Sequence, residues 1–159
     1  MIQSPQEKLV AHLKEKGLRI SFAESCTAGL AAAELVAVSG ASDVFDASFV
    51  TYANTAKIKF VGVSPETLNA YGAVSEQTAG EMAEGCARAA CADIGVGISG
   101  IAGPGGGTPE KPVGTVCFGF HAAGRTHTLT MHFEGLDRAG VRKAAVRFVF
   151  AHLNEVLGI

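Results

Sequence analysis

The residues best suited to chemistry lie where an apolar run turns into an Ala-rich run. Leu18 to Phe22 is typical of a strand and Leu30 to Val38 of a helix; between them stands Ala23-Glu24-Ser25-Cys26-Thr27-Ala28-Gly29. A strand that turns directly into a helix leaves unpaired N–H groups and partial positive charge at one edge of a sheet. That edge suits an anion or a developing oxyanion, and Ser25 places a hydroxyl there. Ser25 is therefore a candidate nucleophile, and the alternative is that Ser25 or Thr27 caps the helix.

A serine nucleophile needs a base, and a lysine is the candidate that the sequence offers. Lys57 follows the second predicted strand, whose end reads Phe49-Val50-Thr51-Tyr52-Ala53-Asn54-Thr55-Ala56-Lys57. Burial or a nearby cation would lower the pKa of its amine enough for the amine to accept a proton. The alternative is an ordinary solvated lysine on a helix. The histidines, which fall on predicted helices and a predicted hairpin, have no convincing position for this role.

A glycine-rich segment follows another predicted strand and reads Ser99-Gly100-Ile101-Ala102-Gly103-Pro104-Gly105-Gly106-Gly107. It lacks the Gly-Lys-Ser/Thr ending of a P-loop and the G-x-G-x-x-G pattern of a dinucleotide site. Its backbone N–H groups are suited to surround an oxyanion or a phosphate, and the alternative is a flexible surface turn. Lys111, just beyond it, is within reach of a ligand. We expect this loop, the Ser25 turn and the Tyr52–Lys57 segment to meet at one sheet edge.

Two further features have a chemical and a structural interpretation. Cys26 stands at the predicted helix start, where the pKa of a thiol falls, so it is a reserve nucleophile, with core packing as the alternative. Arg138 and Arg142 are four residues apart and share a face at the start of the last predicted helix, where cations oppose the helix dipole. Either Asp137, the predicted N-cap, or a substrate phosphate would relieve that conflict.

The predicted elements follow the order α-β-α-β-α-α-α-β-loop-β-β-α. Strands separated by helices favour parallel pairing, and two strands joined at Ala123-Gly124 favour an antiparallel hairpin. We therefore expect a three-layer α/β/α sandwich around a mixed, mainly parallel sheet with a C-terminal antiparallel hairpin. Residues 1–159 are expected to form one domain. Among these elements, a helix is predicted from Thr27 to Val38 and a strand from Phe45 to Tyr52.

Composition excludes several classes of protein. Hydrophobic residues make up 48% of the 159 residues and charged residues 18%, which is typical of a globular domain. The net charge of −2 and the lack of a basic run argue against nucleic-acid binding. No apolar run has membrane-spanning length, and the N-terminus does not resemble a signal peptide. Four cysteines without a Cys-x-x-Cys pair indicate free, mostly buried thiols, so we expect a cytoplasmic protein.

Four motifs in order closely resemble the CinA C-terminal domain family: the Ser25 segment, the Phe49–Lys57 segment, Gly72-Ala73-Val74-Ser75, and Ser99–Pro104 with Lys111-Pro112-Val113-Gly114-Thr115-Val116. The resemblance covers about residues 5 to 157. This family commonly has Gly where Ala28 stands. Its enzymatic members are PncC-type nicotinamide-nucleotide amidohydrolases, and this chain resembles their stand-alone form.

The resemblance implies deamidation of nicotinamide mononucleotide to nicotinic acid mononucleotide and ammonia, in pyridine-nucleotide recycling. It implies a serine–lysine mechanism without a metal or other cofactor, with Ser25 as nucleophile, Lys57 as base and Tyr52 as an assisting hydroxyl. It assigns oxyanion and nucleotide binding to residues around the turn, the second strand end and the glycine-rich loop: Thr27, Gly29, Asn54, Ser99, Gly100 and Gly103. Arg142 would face the negative charge of the substrate.

A small-molecule nucleotide is thus the expected partner, with no nucleic acid or membrane. Small α/β enzymes of this kind often pair, so we expect a homodimer. The competing interpretation is a catalytically silent nucleotide-binding or protein-interaction module, which the family's historical link to competence and DNA damage suggests.

Overall fold

The computed structural model describes residues 3–159, in which the chain forms six α-helices and five β-strands. Met1 and Ile2, the first two residues of the predicted domain, lie outside the described residues. The helices are Pro5–Lys16 (α1), Leu30–Val36 (α2), Asn54–Val61 (α3), Pro65–Tyr71 (α4), Glu76–Ala89 (α5) and Arg138–Leu157 (α6). The strands are Ile20–Glu24 (β1), Phe49–Val50 (β2), Ile94–Gly100 (β3), Thr115–Ala122 (β4) and Arg125–His132 (β5).

The strands form one mixed sheet in the order β2-β1-β3-β4-β5. β1 runs parallel to both β2 and β3, whereas β3–β4 and β4–β5 are antiparallel pairs. The β4–β5 hairpin turns at Ala123 and Gly124, which have φ values of +51° and +73°. Positive φ at both central residues is the turn geometry that matches the twist of paired strands. The predicted mixed sheet and terminal hairpin are confirmed.

Helices cover both faces of this sheet, which confirms the predicted three layers. One face packs against α1, α2 and α6 and includes Phe22, Phe118 and Phe150, all fully buried. The other face packs against α3, α4 and α5. Glycines in the strands let α5 lie directly on the sheet; a β-carbon added at Gly97 would overlap the carbonyl oxygen of Ala79. The core therefore lies on both sides of the strands that lead into the candidate site.

The second strand is much shorter than predicted. The prediction was Phe45 to Tyr52, but only Phe49 and Val50 pair with β1. Phe45 instead packs its ring against Phe22, with 6.2 Å between the ring centroids. A half-buried aromatic residue that packs against the core produces the same sequence pattern as a strand residue.

The helix after Ser25 also begins later than predicted. It starts at Leu30 rather than Thr27, because Ala28 and Gly29 have φ values of +46° and +95°. These left-handed conformations are incompatible with a right-handed helix. It ends at Val36 rather than Val38. Residues 25–29 therefore form a turn, and the Ser25 hydroxyl belongs to that turn.

Side-chain caps begin four other helices, and the N-cap predicted at Asp137 is confirmed. The Ser4 hydroxyl accepts a hydrogen bond from the N–H of Glu7. The Glu7 carboxylate accepts one from the N–H of Ser4, which completes a capping box. Ser64, Ser75 and Asp137 cap α4, α5 and α6 with their side chains. Within residues 3–159, no helix combines the length and the apolar character needed to cross a membrane.

Candidate active site

A cavity of about 200 Å³ lies at the carboxyl ends of the three adjacent parallel strands, β2, β1 and β3. Because β1 is central, the residues that follow the three strands are neighbours in space. Six of the residues proposed for the site from the sequence line this cavity: Ser25, Tyr52, Asn54, Lys57, Ser99 and Gly100. The Ser25 turn, the Tyr52–Lys57 segment and the start of the glycine-rich loop therefore meet at one sheet edge, as expected.

Ser25 and Lys57 form a direct hydrogen bond in this cavity. The Nζ atom of Lys57 lies 2.9 Å from the Oγ atom of Ser25, and the two side chains are buried. Lys57 occupies the first turn of α3, where a side chain points back toward the helix N-terminus. Its Nζ atom thereby also donates to the backbone carbonyls of Thr51, at 2.8 Å, and Tyr52, at 3.2 Å. Three acceptors fix the amine beside the serine hydroxyl.

Burial lowers the pKa of the Lys57 amine from its ordinary value of 10.5 to about 8. Desolvation is the largest cause, because it disfavours the charged form, and the nearby Cys26 side chain acts weakly in the opposite direction. No carboxylate among residues 3–159 forms an ion pair with Lys57. The amine therefore loses its proton far more easily than an exposed lysine does.

Cys26 lies beside Ser25, and its environment differs from the one predicted. The expectation of a lowered thiol pKa is wrong, because burial raises the pKa of Cys26 to about 11. Cys26 is only 7% exposed, and it stands in the turn rather than at the helix start. All four cysteines are free and three are buried, as predicted. At neutral pH Cys26 is a protonated thiol, which is a poor nucleophile.

Glu24 is a buried residue that the sequence interpretation missed. Its carboxylate accepts hydrogen bonds from the N–H groups of Ala31, at 2.9 Å, and Ala32, at 3.1 Å. It thereby satisfies the N-terminus of α2, whose N-cap residue, Gly29, has no side-chain cap. The sequence feature that could have revealed this role is an acidic residue at the end of an apolar strand, a few residues before a helix.

One alternative and one expectation about this junction are therefore wrong. Neither Ser25 nor Thr27 caps α2, because the Glu24 carboxylate takes that role from the preceding strand. The first N–H groups of α2 are also not open to a ligand anion, because those of Leu30, Ala31 and Ala32 already have acceptors. An oxyanion at Ser25 would have to bind other donors.

Arg142 stabilises the Ser25 turn through two backbone carbonyls and does not line the cavity. Its Nε atom donates to the carbonyl of Cys26, at 2.9 Å, and its Nη2 atom to the carbonyl of Thr27, at 3.2 Å. Arg142, Thr27, Gly29 and Gly103 are not among the residues that line the cavity. Gly29 lies close to Val50, and the Thr27 hydroxyl is buried without a partner among the described residues. Arg142, Thr27 and Gly29 shape the turn, Gly103 belongs to the glycine-rich loop, and the predicted contacts of all four with substrate stay predictions.

Arg138 lines the cavity instead, although the site assigned from the resemblance omitted it. Its Nη1 atom donates to the carbonyl of Gly103, at 2.8 Å, and its Nη2 atom to the hydroxyl of Tyr52, at 3.1 Å. The Tyr52 hydroxyl thus contacts Arg138, while only the backbone carbonyl of Tyr52 contacts Lys57. The sequence does show that Arg138 and Arg142 share one helix face. Only the position of the Gly103 carbonyl in the loop shows which of the two arginines lines the cavity.

The glycine-rich loop is fixed at its start rather than freely flexible. The Ser99 hydroxyl donates to the carbonyl of Ala73, at 2.7 Å, and Ser99 is 1% exposed. A β-carbon at Gly100 would lie 2.7 Å from the side chain of Val116, and Gly103 has a φ of +81°. Both positions therefore require glycine, which brings the loop backbone close to the cavity.

Comparison with known proteins adds an independent finding. A sequence model of the CinA C-terminal domain family matches residues 2–157. The nicotinamide-nucleotide amidohydrolase PncC of Enterobacter agglomerans is 53% identical over 139 residues, which cover 87% of this chain and 84% of that protein. A CinA-like protein of Kosmotoga olearia is 48% identical over 98% of this chain but only 37% of its own length. The chain thus spans little more than a third of the CinA-like and competence-damage proteins that it resembles.

Solved structures agree with this family. The crystal structure of a CinA superfamily protein from Escherichia coli matches with a TM-score of 0.93 and 40% identity, over 98% of this chain and 90% of that one. The competence/damage inducible protein CihA from Agrobacterium tumefaciens matches with a TM-score of 0.87 and 41% identity, over 96% of both chains.

Proposed function

The chain belongs to the CinA C-terminal domain family, and we propose that it is an amidohydrolase that deamidates nicotinamide mononucleotide to nicotinic acid mononucleotide and ammonia. The observation that carries the proposal is the 2.9 Å contact between Lys57 Nζ and Ser25 Oγ at a buried strand edge. The name of the Enterobacter agglomerans relative, a nicotinamide-nucleotide amidohydrolase, supports this class of substrate, and this chain aligns with 84% of that protein.

The contacts of Lys57 suit a base that works as a neutral amine. A neutral amine has two N–H groups and one lone pair. The two N–H groups match the carbonyls of Thr51 and Tyr52, which leaves the lone pair for the hydroxyl proton of Ser25. With a pKa of about 8, about a tenth of the enzyme carries this form at pH 7. A pKa near the working pH suits a general base.

The first half of the reaction forms an acyl-enzyme. The Ser25 oxygen attacks the carboxamide carbon as Lys57 takes the hydroxyl proton, and the carbonyl oxygen becomes an oxyanion. Backbone N–H groups of the turn after Ser25 and of the loop from Gly100 to Gly103 are the proposed donors to it. Each well-placed donor of this kind contributes about 3–4 kcal/mol in characterised hydrolases. Lys57 then gives its proton to the departing nitrogen, and ammonia leaves.

The second half releases the product. A water molecule takes the place of ammonia, Lys57 removes a proton from it, and the hydroxide attacks the ester carbon. The bond to Ser25 breaks, and its oxygen regains a proton from Lys57. The proton balance closes with Ser25, Lys57 and water, so the proposed sequence needs no further acid or base. Asn54, Ser99 and Gly100, which line the cavity, are proposed to orient the pyridine ring and its carboxamide.

The direct test is incubation of the purified protein with nicotinamide mononucleotide, with ammonia and nicotinic acid mononucleotide measured together. We expect both products in equal amounts. Binding of the nucleotide without ammonia release would contradict the proposal and favour the silent binding or interaction module. The expected homodimer and the cytoplasmic location remain proposals as well; sedimentation of the purified protein tests the first.

A further inference from the structure

The cavity at Ser25 is too small for a whole nucleotide. Its volume is about 200 Å³, whereas sites that enclose ligands of this size measure roughly 300–1,000 Å³. The carboxamide must lie at Ser25, so the ribose and the phosphate must extend into a neighbouring hollow. Among residues 3–159, the Arg138 side and the Lys111 side each have a hollow that adjoins the cavity and shares lining residues with it.

The first, which we call the Arg138 hollow, has a volume of about 490 Å³ and shares Ala102 and Arg138 with the cavity. The second, the Lys111 cleft, has a volume of about 440 Å³ and shares Val74. Both are large enough for a ribose phosphate. Size therefore does not decide between them, and charge must.

The two hollows differ in charge. Arg138 and Arg142 line the Arg138 hollow against one carboxylate, that of Asp137. The Lys111 cleft has the reverse balance, because the carboxylates of Glu76 and Glu110 line it against one lysine. A dianionic phosphate is attracted to the first and repelled by the second.

Arg138 is the cation in the first hollow that is free to bind an anion. It is exposed, and its two hydrogen-bond partners, the Gly103 carbonyl and the Tyr52 hydroxyl, are both neutral. No carboxylate among residues 3–159 forms an ion pair with it. The Asp137 carboxylate instead caps α6 by accepting from the N–H of Gly140, at 2.7 Å. Arg142, in contrast, already donates to two carbonyls of the Ser25 turn.

The position of Arg138 supports the same interpretation. It is the first residue of α6, where the helix dipole opposes a cation and favours an anion. The Gly103 and Tyr52 contacts hold the planar guanidinium in one orientation beside the cavity, and a planar guanidinium is well suited to phosphate oxygens. A bound phosphate would remove both the unpaired charge and the conflict with the dipole.

We propose that Arg138 binds the phosphate of the substrate and determines the preference for nucleotides, while Tyr52 positions its guanidinium through the phenolic hydroxyl. Arg142 is a positioning residue that acts through the Ser25 turn. This inference rests on the proposed function, since it assumes that a nucleotide carboxamide is the substrate.

The test compares nicotinamide mononucleotide with nicotinamide riboside, which lacks the phosphate, as substrates for four proteins. For Arg138→Met we expect kcat/KM for the mononucleotide to fall roughly 10- to 100-fold, as for the loss of a charge-assisted hydrogen bond, and kcat/KM for the riboside to change by less than about threefold. Lys111→Met, the matched control in the other hollow, should leave both values near those of the wild type. Arg142→Met should lower both values, because Arg142 holds the Ser25 turn that both substrates need.

A second measurement does not depend on turnover. Calorimetric titration with ribose 5-phosphate, which carries the phosphate but no carboxamide, should show binding to the wild type and to Lys111→Met. Binding to Arg138→Met should be at least about tenfold weaker, and Arg138→Lys should restore part of it.

The outcomes separate the two proposals. An equal loss on both substrates in Arg138→Met, or unchanged binding of ribose 5-phosphate, would overturn the role of Arg138 and leave the deamidation intact. A loss confined to Lys111→Met would place the phosphate in the Lys111 cleft and overturn it too. A wild-type protein that binds ribose 5-phosphate through Arg138 but releases no ammonia would overturn the hydrolase and keep the phosphate site.

Discussion

At the scale of single residues, the environment of one amine decides what the cavity can do. Lys57 is 1% exposed, donates to two backbone carbonyls and lies beside one hydroxyl, without a carboxylate partner among the described residues. A carboxylate nearby would have kept the amine charged. Desolvation without such a partner lowers its pKa to about 8, which is close to the pH at which a general base is most effective.

This environment predicts how activity depends on pH. We expect kcat/KM for nicotinamide mononucleotide to rise with pH and to level off above an apparent pKa near 8, because only the neutral amine can accept the Ser25 proton. Rates measured between pH 6 and 9.5 test this. Lys57→Arg should be inactive across the range, since a guanidinium does not lose its proton. Lys59→Met, in which an exposed lysine two residues away is removed, should keep the wild-type profile; a profile that is flat through pH 8 would contradict the assignment.

The approach of Ser25 and Lys57 follows from features that the sequence displays. Each residue follows a run of strand-forming residues, and parallel strands that are neighbours end at the same edge. The placement of Arg138 does not follow in this way. It depends on where a long loop puts the Gly103 carbonyl and on the rotamer of Tyr52, and neither is encoded in a local pattern.

At the scale of elements, β1, the Ser25 turn and α2 form one unit that Glu24 holds together. The Glu24 side chain is fully buried and reaches from the end of β1 to the N–H groups of Ala31 and Ala32. A helix of seven residues is marginal alone, so this contact and the core fix its position. Local propensity predicts a helix here but not its first residue, because Ala28 adopts a left-handed conformation that alanine rarely shows.

Glu24→Gln tests this unit. The amide keeps the size of the side chain but turns an N–H donor toward one of the two N–H groups of α2, so one buried donor loses its acceptor. We expect the free energy of unfolding to fall by about 1–3 kcal/mol, measured by urea denaturation. Glu15→Gln, at a side chain that is 74% exposed, should change it by less than about 0.5 kcal/mol. Equal stability of Glu24→Gln and the wild type would show that the carboxylate does not hold α2.

At the scale of the whole molecule, the layers and the mixed sheet were predictable because they follow from the order and periodicity of the elements. Apolar runs separated by amphipathic helices left few ways to cover both faces of the sheet. The extent of β2 was not predictable. Phe45 enters the core from outside the sheet, and only the tertiary packing against Phe22 distinguishes it from a strand residue.

The buried amine should also affect the stability of the whole chain. The unfolded chain holds the Lys57 proton up to about pH 10.5, whereas the folded chain releases it near pH 8. Between these values the unfolded state binds more protons, so stability rises with pH; below pH 8 both states are protonated and the desolvation cost is complete. Urea denaturation at pH 7 and pH 9.5 should therefore show the wild type gaining stability relative to Lys57→Met as the pH rises. A constant difference between the two proteins would mean that the folded pKa is not lowered.

The central claim is that the Ser25 hydroxyl attacks the carboxamide, and ammonia release from nicotinamide mononucleotide by Ser25→Ala tests it most directly. Cys26→Ala is the matched control, because it removes the neighbouring side chain, which stays a protonated thiol at the assay pH. The account predicts that Ser25→Ala binds the nucleotide and unfolds like the wild type but releases ammonia at least about 10³-fold more slowly, while Cys26→Ala keeps its rate within a few fold. Normal ammonia release by Ser25→Ala would contradict the account.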